Sequence, residues 1–322
     1  ELREKWEHLL QYFPEYPEAG GIFLEGDAYD EKHYISQTGG LYPVFPCGEY
    51  GAESEKDILD TCIKTYRTSF TRQSLQLLSQ KKGVAPKNGW MWFFWNMSAL
   101  RLGLKDDAWE LLHNMGLRLF LKPNGLFTHN AVIYADPKES EKNYERYPEQ
   151  KLIDCGEEMS VKECWSGNDG FSSPVLDGKE YVFPVLENTS SYLMVITEML
   201  VQGYGGIIRL FPGWKEGKSA SFRDLRVEGA FLVSSSYDGK KVLFCCIKSL
   251  KGGKVSLKTP WKKTFISRDG GKKFVEVKGE KGYIPVEMKE GEEFIFSPVP
   301  EYIRKLPLLN KSSVPSPKKM AF

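Results

Sequence analysis

The stretch ITEMLVQGYGGIIRLFP at residues 196–212 decides the fold, because the spacing of its apolar residues changes within it. Before Gly203 the apolar residues recur three or four positions apart, which predicts a helix over 189–202 that ends at this glycine. From residue 206 onward the apolar residues form short runs rich in Ile and Phe, which predict strands. The sequence therefore predicts a helical segment followed by a β segment, an α+β chain.

Upstream of this point the periodic segments are helical. The predicted helices cover about residues 2–10, 58–77, 90–104 and 106–120. The first places four apolar residues on one face: Leu2, Trp6, Leu9 and Leu10. The long stretches 14–53 and 122–187 lack regular periodicity, and loops of this length inside a domain usually carry function.

Downstream, six short apolar runs alternate with turn signals. The predicted strands cover 206–211, 227–237, 241–248, 254–258, 264–268 and 294–297. Pairs such as Asp238-Gly239 and Gly252-Gly253 separate them, which is typical of antiparallel hairpins. We therefore expect residues 1–204 to form the helical domain, 205–300 a small antiparallel β-sandwich, and 301–322 a C-terminal tail.

The composition excludes several classes of protein. Lys plus Arg is 44 and Asp plus Glu is 43, so the 322-residue chain carries a formal charge of +1. Such a balance argues against nucleic-acid or other polyanion binding. No apolar run approaches the ~18 residues of a membrane helix, so we expect no membrane insertion. No CxxC or HExxH pattern is present, and we expect neither a metal nor a cofactor.

Three motifs follow one another in an order that resembles a known family. They are KHYISQTGGLYP at 32–43, NGWMW at 88–92 followed by GLFTHN at 125–130, and FPVLENTS at 183–190. Further similar elements lie at 196–202, 207–217 and 226–231. In this order the motifs resemble the C-terminal half of glycoside hydrolase family 95, the α-L-fucosidase-like proteins, over roughly residues 1–261.

The resemblance implies a fold, an activity and a location. The implied fold is part of an (α/α)6 barrel of the six-hairpin glycosidase type, followed by the β-sandwich. Because about half of such a barrel is encoded here, a missing N-terminal segment or a second chain would complete it. The implied protein is a bacterial glycoside hydrolase, exported to the periplasm or outside the cell for polysaccharide degradation, with its carbohydrate substrate at the barrel mouth. Family 95 enzymes act with inversion, through a carboxylate-activated water.

The chain departs from the family at the catalytic positions. The family's Arg-His pair falls on His33 and Tyr34, and its second His falls on Gln37. The catalytic Asp falls on Leu186, next to Glu187, and the family's general acid lies upstream of this sequence. Two hypotheses therefore stay open: a glycosidase, or a carbohydrate-binding protein that kept the barrel and lost catalysis.

Glu187 and Asn188 are the candidate catalytic residues. Glu187 is expected to polarise a water as general base, alone or through Asn188. The alternative is structural, because Glu and Asn before a helix commonly serve as first-turn and capping residues.

The candidate substrate-binding residues share polar or aromatic side chains in the loops at the implied barrel mouth. They are Glu25, Asp27, His33, Tyr34, Gln37, Trp90, His129 and Asn130. The aromatic block at 90–95 is either a platform on which a sugar stacks or part of the core, and we expect its Trp90 end to face the site.

Overall fold

The computed structural model describes residues 2–29, 39–79, 89–121, 126–127, 175–176, 179–180 and 186–300. Side chains of 71–79, 89–92, 114–115, 118–120 and the pairs at 175–176 and 179–180 lie outside this description. The chain divides into two compact units, Glu1–Val195 and Ile196–Phe322. The predicted tail at 301–322 lies outside the described residues.

The first unit is mainly helical. Its helices are α1 (Leu2–Leu10), α2 (Lys56–Ser79), α3 (Gly89–Arg101), α4 (Lys105–Glu110) with a π-helical continuation (Leu111–Phe120), and the start of α5 (Leu186–Leu200). Short elements accompany them: β1 (Glu18–Ala19), β2 (Ile22–Phe23), a 3-10 turn (Gly39–Leu41), β3 (Val175–Leu176) and β4 (Lys179–Glu180). The barrel itself stays a prediction.

Aromatic and polar contacts hold α2, α3 and α4 together. The rings of Phe70 and Trp95 meet edge to face with centroids 5.8 Å apart, and both side chains are fully buried. The side-chain amide of Asn96 donates to the carbonyl of Ala108 over 3.1 Å, which joins α3 to α4. The ring contact buries apolar surface between α2 and α3, and the amide bond gives a buried polar side chain of α3 a partner in α4. The three helices therefore share one core.

The apolar face predicted for α1 is exposed. The helix forms over Leu2–Leu10, but none of its residues is buried. Trp6 is 60 % exposed and Leu2 69 %. The helical period therefore predicted the element correctly, but within the described residues its apolar face is not part of a core.

Helix α5 begins earlier and ends earlier than its period predicts. It starts at Leu186 rather than residue 189, and it ends at Leu200 because Val201–Gln202 form strand β5. The amide of Phe211 donates to the carbonyl of Leu200 over 2.7 Å, so the last turn is already tied to the following sheet. Strand pairing at this point overrides helix propensity.

The second unit consists of two sheets. Besides β5, its strands are β6 (Ile207–Leu210), β7 (Ala220–Val227), β8 (Phe231–Tyr237), β9 (Val242–Ser249), β10 (Gly253–Lys258), β11 (Thr264–Ser267), β12 (Val275–Val277), β13 (Tyr283–Met288) and β14 (Glu293–Ser297). One sheet has the order β13-β10-β6-β5 and the other β12-β11-β14-β9-β8-β7.

Both sheets contribute to one core, so they pack face to face. Ile208 and Leu257 of the smaller sheet and Val233, Ile247 and Phe296 of the larger one are all fully buried in the same cluster. The sheets are antiparallel except for β6 and β10, which pair in parallel. The expectation of a wholly antiparallel sandwich is wrong at this pair, because the chain crosses to the larger sheet for β7 to β9 before β10 returns beside β6.

Candidate functional site

The first unit contains a cleft between the loop after the 3-10 turn, helix α3 and the start of α5. Its volume is about 560 Å³. The described residues that line it are Phe45, Pro46, Phe93, Phe94, Leu186, Glu187, Ser190, Ser191 and Met194. This size lies within the range of small-molecule sites.

Three phenylalanine rings form one wall of the cleft. Phe45 lies 5.4 Å from both Phe93 and Phe94, and the latter two rings are 5.5 Å apart, measured between centroids. All three pairs meet edge to face, the arrangement that ring quadrupoles favour. Phe45 and Phe93 are buried while Phe94 is half-buried, so Phe94 is the ring with the most surface to offer a ligand.

The loop that carries Phe45 is fixed by its own hydrogen bonds and anchors. The amide of Phe45 donates to the carbonyl of Leu41 over 2.9 Å, and Leu41 and Val44 are fully buried. The guanidinium of Arg101 lies 5.0 Å from the centre of the Phe45 ring. Backbone bonding, burial and this cation–π contact together fix the position of the Phe45 ring.

Helix α5 presents two different faces. Glu187, Ser190, Ser191 and Met194 follow the spacing i, i+3, i+4 and i+7, which places them on one side of the helix, along the cleft. Asn188 and Tyr192 lie on the opposite, buried side. Burial raises the pKa of the Tyr192 hydroxyl, so this phenol stays protonated at neutral pH.

The buried face of α5 is packed closely. The Tyr192 ring stacks on Phe127 with centroids 4.4 Å apart, and Thr189 Oγ1 accepts the Phe127 amide over 3.1 Å. A Cβ on Gly116 would lie 2.4 Å from Tyr192 Cε1, so the π-helical segment can approach α5 only with glycine there. These contacts set the rotation of α5 that turns Glu187 toward the cleft.

The two candidate catalytic residues have different surroundings. Glu187 is exposed, lies in the first turn of α5 and lines the cleft. Asn188 is fully buried and does not line it. The structure thus separates the pair, with the carboxylate at the cleft and the amide in the interior.

Glu25 and Asp27 lie away from the described cleft lining. Glu25 Oε1 accepts the amide of Gly39 over 3.3 Å, and a Cβ on Gly39 would lie 2.9 Å from Glu25 Cγ. Asp27 is exposed. In this structure Glu25 holds the start of the 3-10 turn, and a sugar contact by either residue stays a prediction.

The other predicted substrate-binding residues fall outside what the structure describes. His33, Tyr34, Gln37, His129 and Asn130 lie outside the described ranges, and Trp90 belongs to α3 with its side chain outside the description. The structure instead brings Phe93 and Phe94, from the same aromatic block, to the cleft.

Of the nine described lining residues only Glu187 was a predicted site residue, and Phe93 and Phe94 belong to the aromatic block. Ser190, Ser191 and Met194 could have been found by extending the helical spacing from Glu187 at i+3, i+4 and i+7. Phe45 and Pro46 had no such signal, because only the fold of the 41–47 loop brings them to α3.

Glu187 is the only ionisable side chain among the described residues that line the cleft. Across the described ranges no group of three or more His, Cys, Asp or Glu side chains is arranged to hold a metal ion. Nor does any helix within those ranges combine the length and apolar character that crossing a membrane requires.

Comparison with known proteins shows no family for this chain and gives only weak structural similarity. The chain matches no protein-family model and no curated protein. Among solved structures it is similar to a GH127 β-L-arabinofuranosidase from Geobacillus stearothermophilus T6, at 12 % identity and a TM-score of 0.30. The match covers 91 % of this chain and 47 % of that one, so the chain spans less than half of that enzyme's length. A likeness this weak defines neither the site nor the substrate.

Proposed function

We propose that the cleft binds a sugar and that the protein is a glycoside hydrolase-like protein. The observation that carries the proposal is the position of Glu187 on a cleft walled by Phe45, Phe93 and Phe94. Sugars offer C–H faces that pack on aromatic rings and hydroxyls that bond to carboxylates and serine hydroxyls. Ser190 and Ser191 supply the hydroxyls on the same helix face.

In the hydrolytic form of this proposal Glu187 is the base that takes a proton from the attacking water. Its carboxylate is exposed to solvent and held at the start of α5, within reach of a ligand in the cleft. In this form of the proposal Asn188 does not touch the water, because its side chain is buried and does not line the cleft. The similarity of FPVLENTS to the family 95 catalytic segment supports the same assignment, shifted by one residue.

Hydrolysis of a glycosidic bond needs a second carboxyl group, which protonates the leaving oxygen. Family 95 supplies this acid from a segment upstream of the one that this chain resembles. The proposed hydrolase is therefore an exported protein that acts on an α-L-fucoside or a related glycan. Further sequence or a second chain completes its barrel.

The experiment is turnover of a panel of aryl glycosides, including an α-L-fucoside, by the chain and its variants. Glu187→Gln should lower turnover by about 10²–10⁴-fold, because it removes the base and keeps the side chain's shape. Glu18→Gln, at an exposed carboxylate of β1, is the matched control and should leave turnover unchanged. Full turnover in Glu187→Gln would show that another group is the base.

A second candidate function is carbohydrate binding without catalysis. It is favoured by the single carboxylate among the described lining residues and by Leu186 at the position of the family's Asp. Sugar binding measured by calorimetry, together with no turnover on any glycoside in the panel when the segment or second chain that completes the barrel is present, would establish this candidate over the hydrolase.

A further inference from the structure

The near-zero charge of the whole chain conceals a division between the two units. Residues 1–195 carry 20 basic and 30 acidic side chains, whereas residues 196–322 carry 24 basic and 13 acidic ones. The formal charges are therefore −10 and +11. A charge asymmetry of this kind between parts of a chain is typical of proteins whose basic part binds an anionic partner.

Residues 301–322, outside the described residues, carry five of these basic side chains and one acidic one, which leaves a formal charge of +7 on residues 196–300. Most of this charge, a net +5, lies at one end of the sandwich. We call this the lysine end, and define it by the four connections 211–219, 238–241, 259–263 and 278–282, which join β6–β7, β8–β9, β10–β11 and β12–β13. It holds eight lysines, no arginine and three acids: Lys215, Lys218, Lys240, Lys241, Lys262, Lys263, Lys278, Lys281, Glu216, Asp238 and Glu280. All eight lysines are exposed.

The opposite end is close to neutral. Its connections are 228–230, 250–252, 268–274 and 289–292, which together carry five basic and four acidic side chains. Strand register puts these segments together, since Phe231 pairs with Ser249 and Glu293 with Lys248. The two ends therefore differ in charge although strands of the same sheets lead to both.

Hydrogen bonds join the four connections of the lysine end into one surface. Gly217 N donates to Gly239 O over 2.7 Å, and Trp261 Nε1 donates to Val242 O over 2.7 Å. Thr259 N donates to Gly282 O over 2.9 Å. These bonds link 211–219 to 238–241, and 259–263 to both the first residue of β9 and 278–282, so the lysines lie on connected segments rather than on separate loops.

The extent of this surface favours a polymer. Six strands end along the larger sheet, and five gaps of about 4.8 Å give a width of roughly 24 Å. A single small anion cannot meet lysines spread over that distance. A polymer that carries a negative charge on each repeating unit can contact lysines over that whole distance.

The side chains at this end also discriminate among polyanions. Single-stranded nucleic acid is bound by exposed aromatic rings that stack on bases, but within residues 196–300 no aromatic side chain is among the highly exposed ones. Nucleic-acid recognition favours arginine over lysine, and the lysine end has no arginine. Stable attachment to a membrane surface is typically strengthened by inserted apolar side chains, and the large exposed ones in 196–300 are Val275 and Val299.

We infer that the lysine end is a binding surface for an acidic polysaccharide, a glycan with a carboxylate on its repeating units. The choice of a glycan among polyanions rests on the proposed function of the first unit. The surface itself would hold the polymer by many weak, exposed ion contacts, and so would be sensitive to salt.

The test compares binding of the full chain to polygalacturonate, a polyuronate, with binding to neutral dextran. Lys240→Gln/Lys262→Gln/Lys278→Gln removes one lysine from each of three connections. Lys251→Gln/Lys272→Gln/Lys289→Gln removes the same charge from the opposite end and is the matched control. At low ionic strength the first variant should bind polygalacturonate about tenfold more weakly or worse, the control should stay within about twofold, and dextran should not bind.

Several outcomes would overturn the inference. They are equal loss in the two triple variants, absence of polyuronate binding at low salt, and tighter binding to single-stranded DNA or to phosphatidylserine vesicles than to polygalacturonate. Failure of the proposed function would give a different result, namely no sugar binding and no turnover at the cleft. The lysine variants should change neither sugar binding nor turnover at the cleft.

Discussion

At the scale of single residues, the cleft depends on where α5 points a few side chains. Glu187 and Asn188 are neighbours in sequence, yet one faces the cleft and the other is fully buried. On a helix, residues one position apart are about 100° apart, so a motif read along the sequence contains residues of both faces. The sequence therefore suggested both residues as a catalytic pair, whereas the structure brings only Glu187 to the cleft.

Phe94 is the ring whose replacement tests the sugar platform. Phe94→Leu keeps an apolar side chain of similar volume but removes the flat face, so sugar affinity should fall by about three- to tenfold. Because Phe94 is only half-buried, the thermal midpoint should change little. Calorimetric titration with the sugar that the protein binds best gives the affinity. Phe265→Leu, at a half-buried ring of β11, is the control and should bind normally.

At the scale of elements, the strands that the sequence predicted are those in the interior of the two large sheets, and the edge strands were missed. All six predicted strands correspond to β6, β8, β9, β10, β11 and β14, which are interior in their sheets. The strands of the second unit that were missed or read as helix, β5, β7, β12 and β13, are all at sheet edges. Edge strands pair on one side only and tolerate polar residues and proline, as Pro285 in β13 illustrates, so their sequences carry a weaker signal.

The contact between α2 and α4 gives a prediction at this scale. Arg67 and Asp107 form an ion pair whose side chains are only 20 % and 13 % exposed. Asp107→Asn should lower the free energy of unfolding by about 1–3 kcal/mol, because it leaves a sheltered guanidinium with a neutral partner. Denaturant titration measures this change.

Asp60→Asn is the comparison for that measurement. Asp60 pairs with Lys56 on the surface of α2, where the two side chains are 57 % and 83 % exposed. Its replacement should cost less than about 0.5 kcal/mol, since water and salt screen such pairs. Similar losses in the two variants would contradict a special role for the sheltered pair.

At the scale of the whole molecule, the second unit has a core of its own. Ile247 of β9 is fully buried in it, while the adjacent Lys248 is exposed on the other face of the strand. Ile247→Ala should reduce the protection of β8 and β9 amides against hydrogen exchange by about 2–5 kcal/mol, because it opens a cavity. Lys248→Ala should change protection by less than about 0.5 kcal/mol. Equal effects would mean that β9 is not oriented as described.

The sequence by itself determined the α+β composition, the change from helical to β periodicity near residue 205 and the interior strands, because these depend on local spacing of apolar residues. It also indicated Glu187 as a candidate. Only the tertiary structure decided that Phe45 joins Phe93 and Phe94 around that carboxylate, and that eight lysines from four connections lie at one end of the sandwich. Both depend on contacts between residues far apart in the chain, which no local pattern encodes.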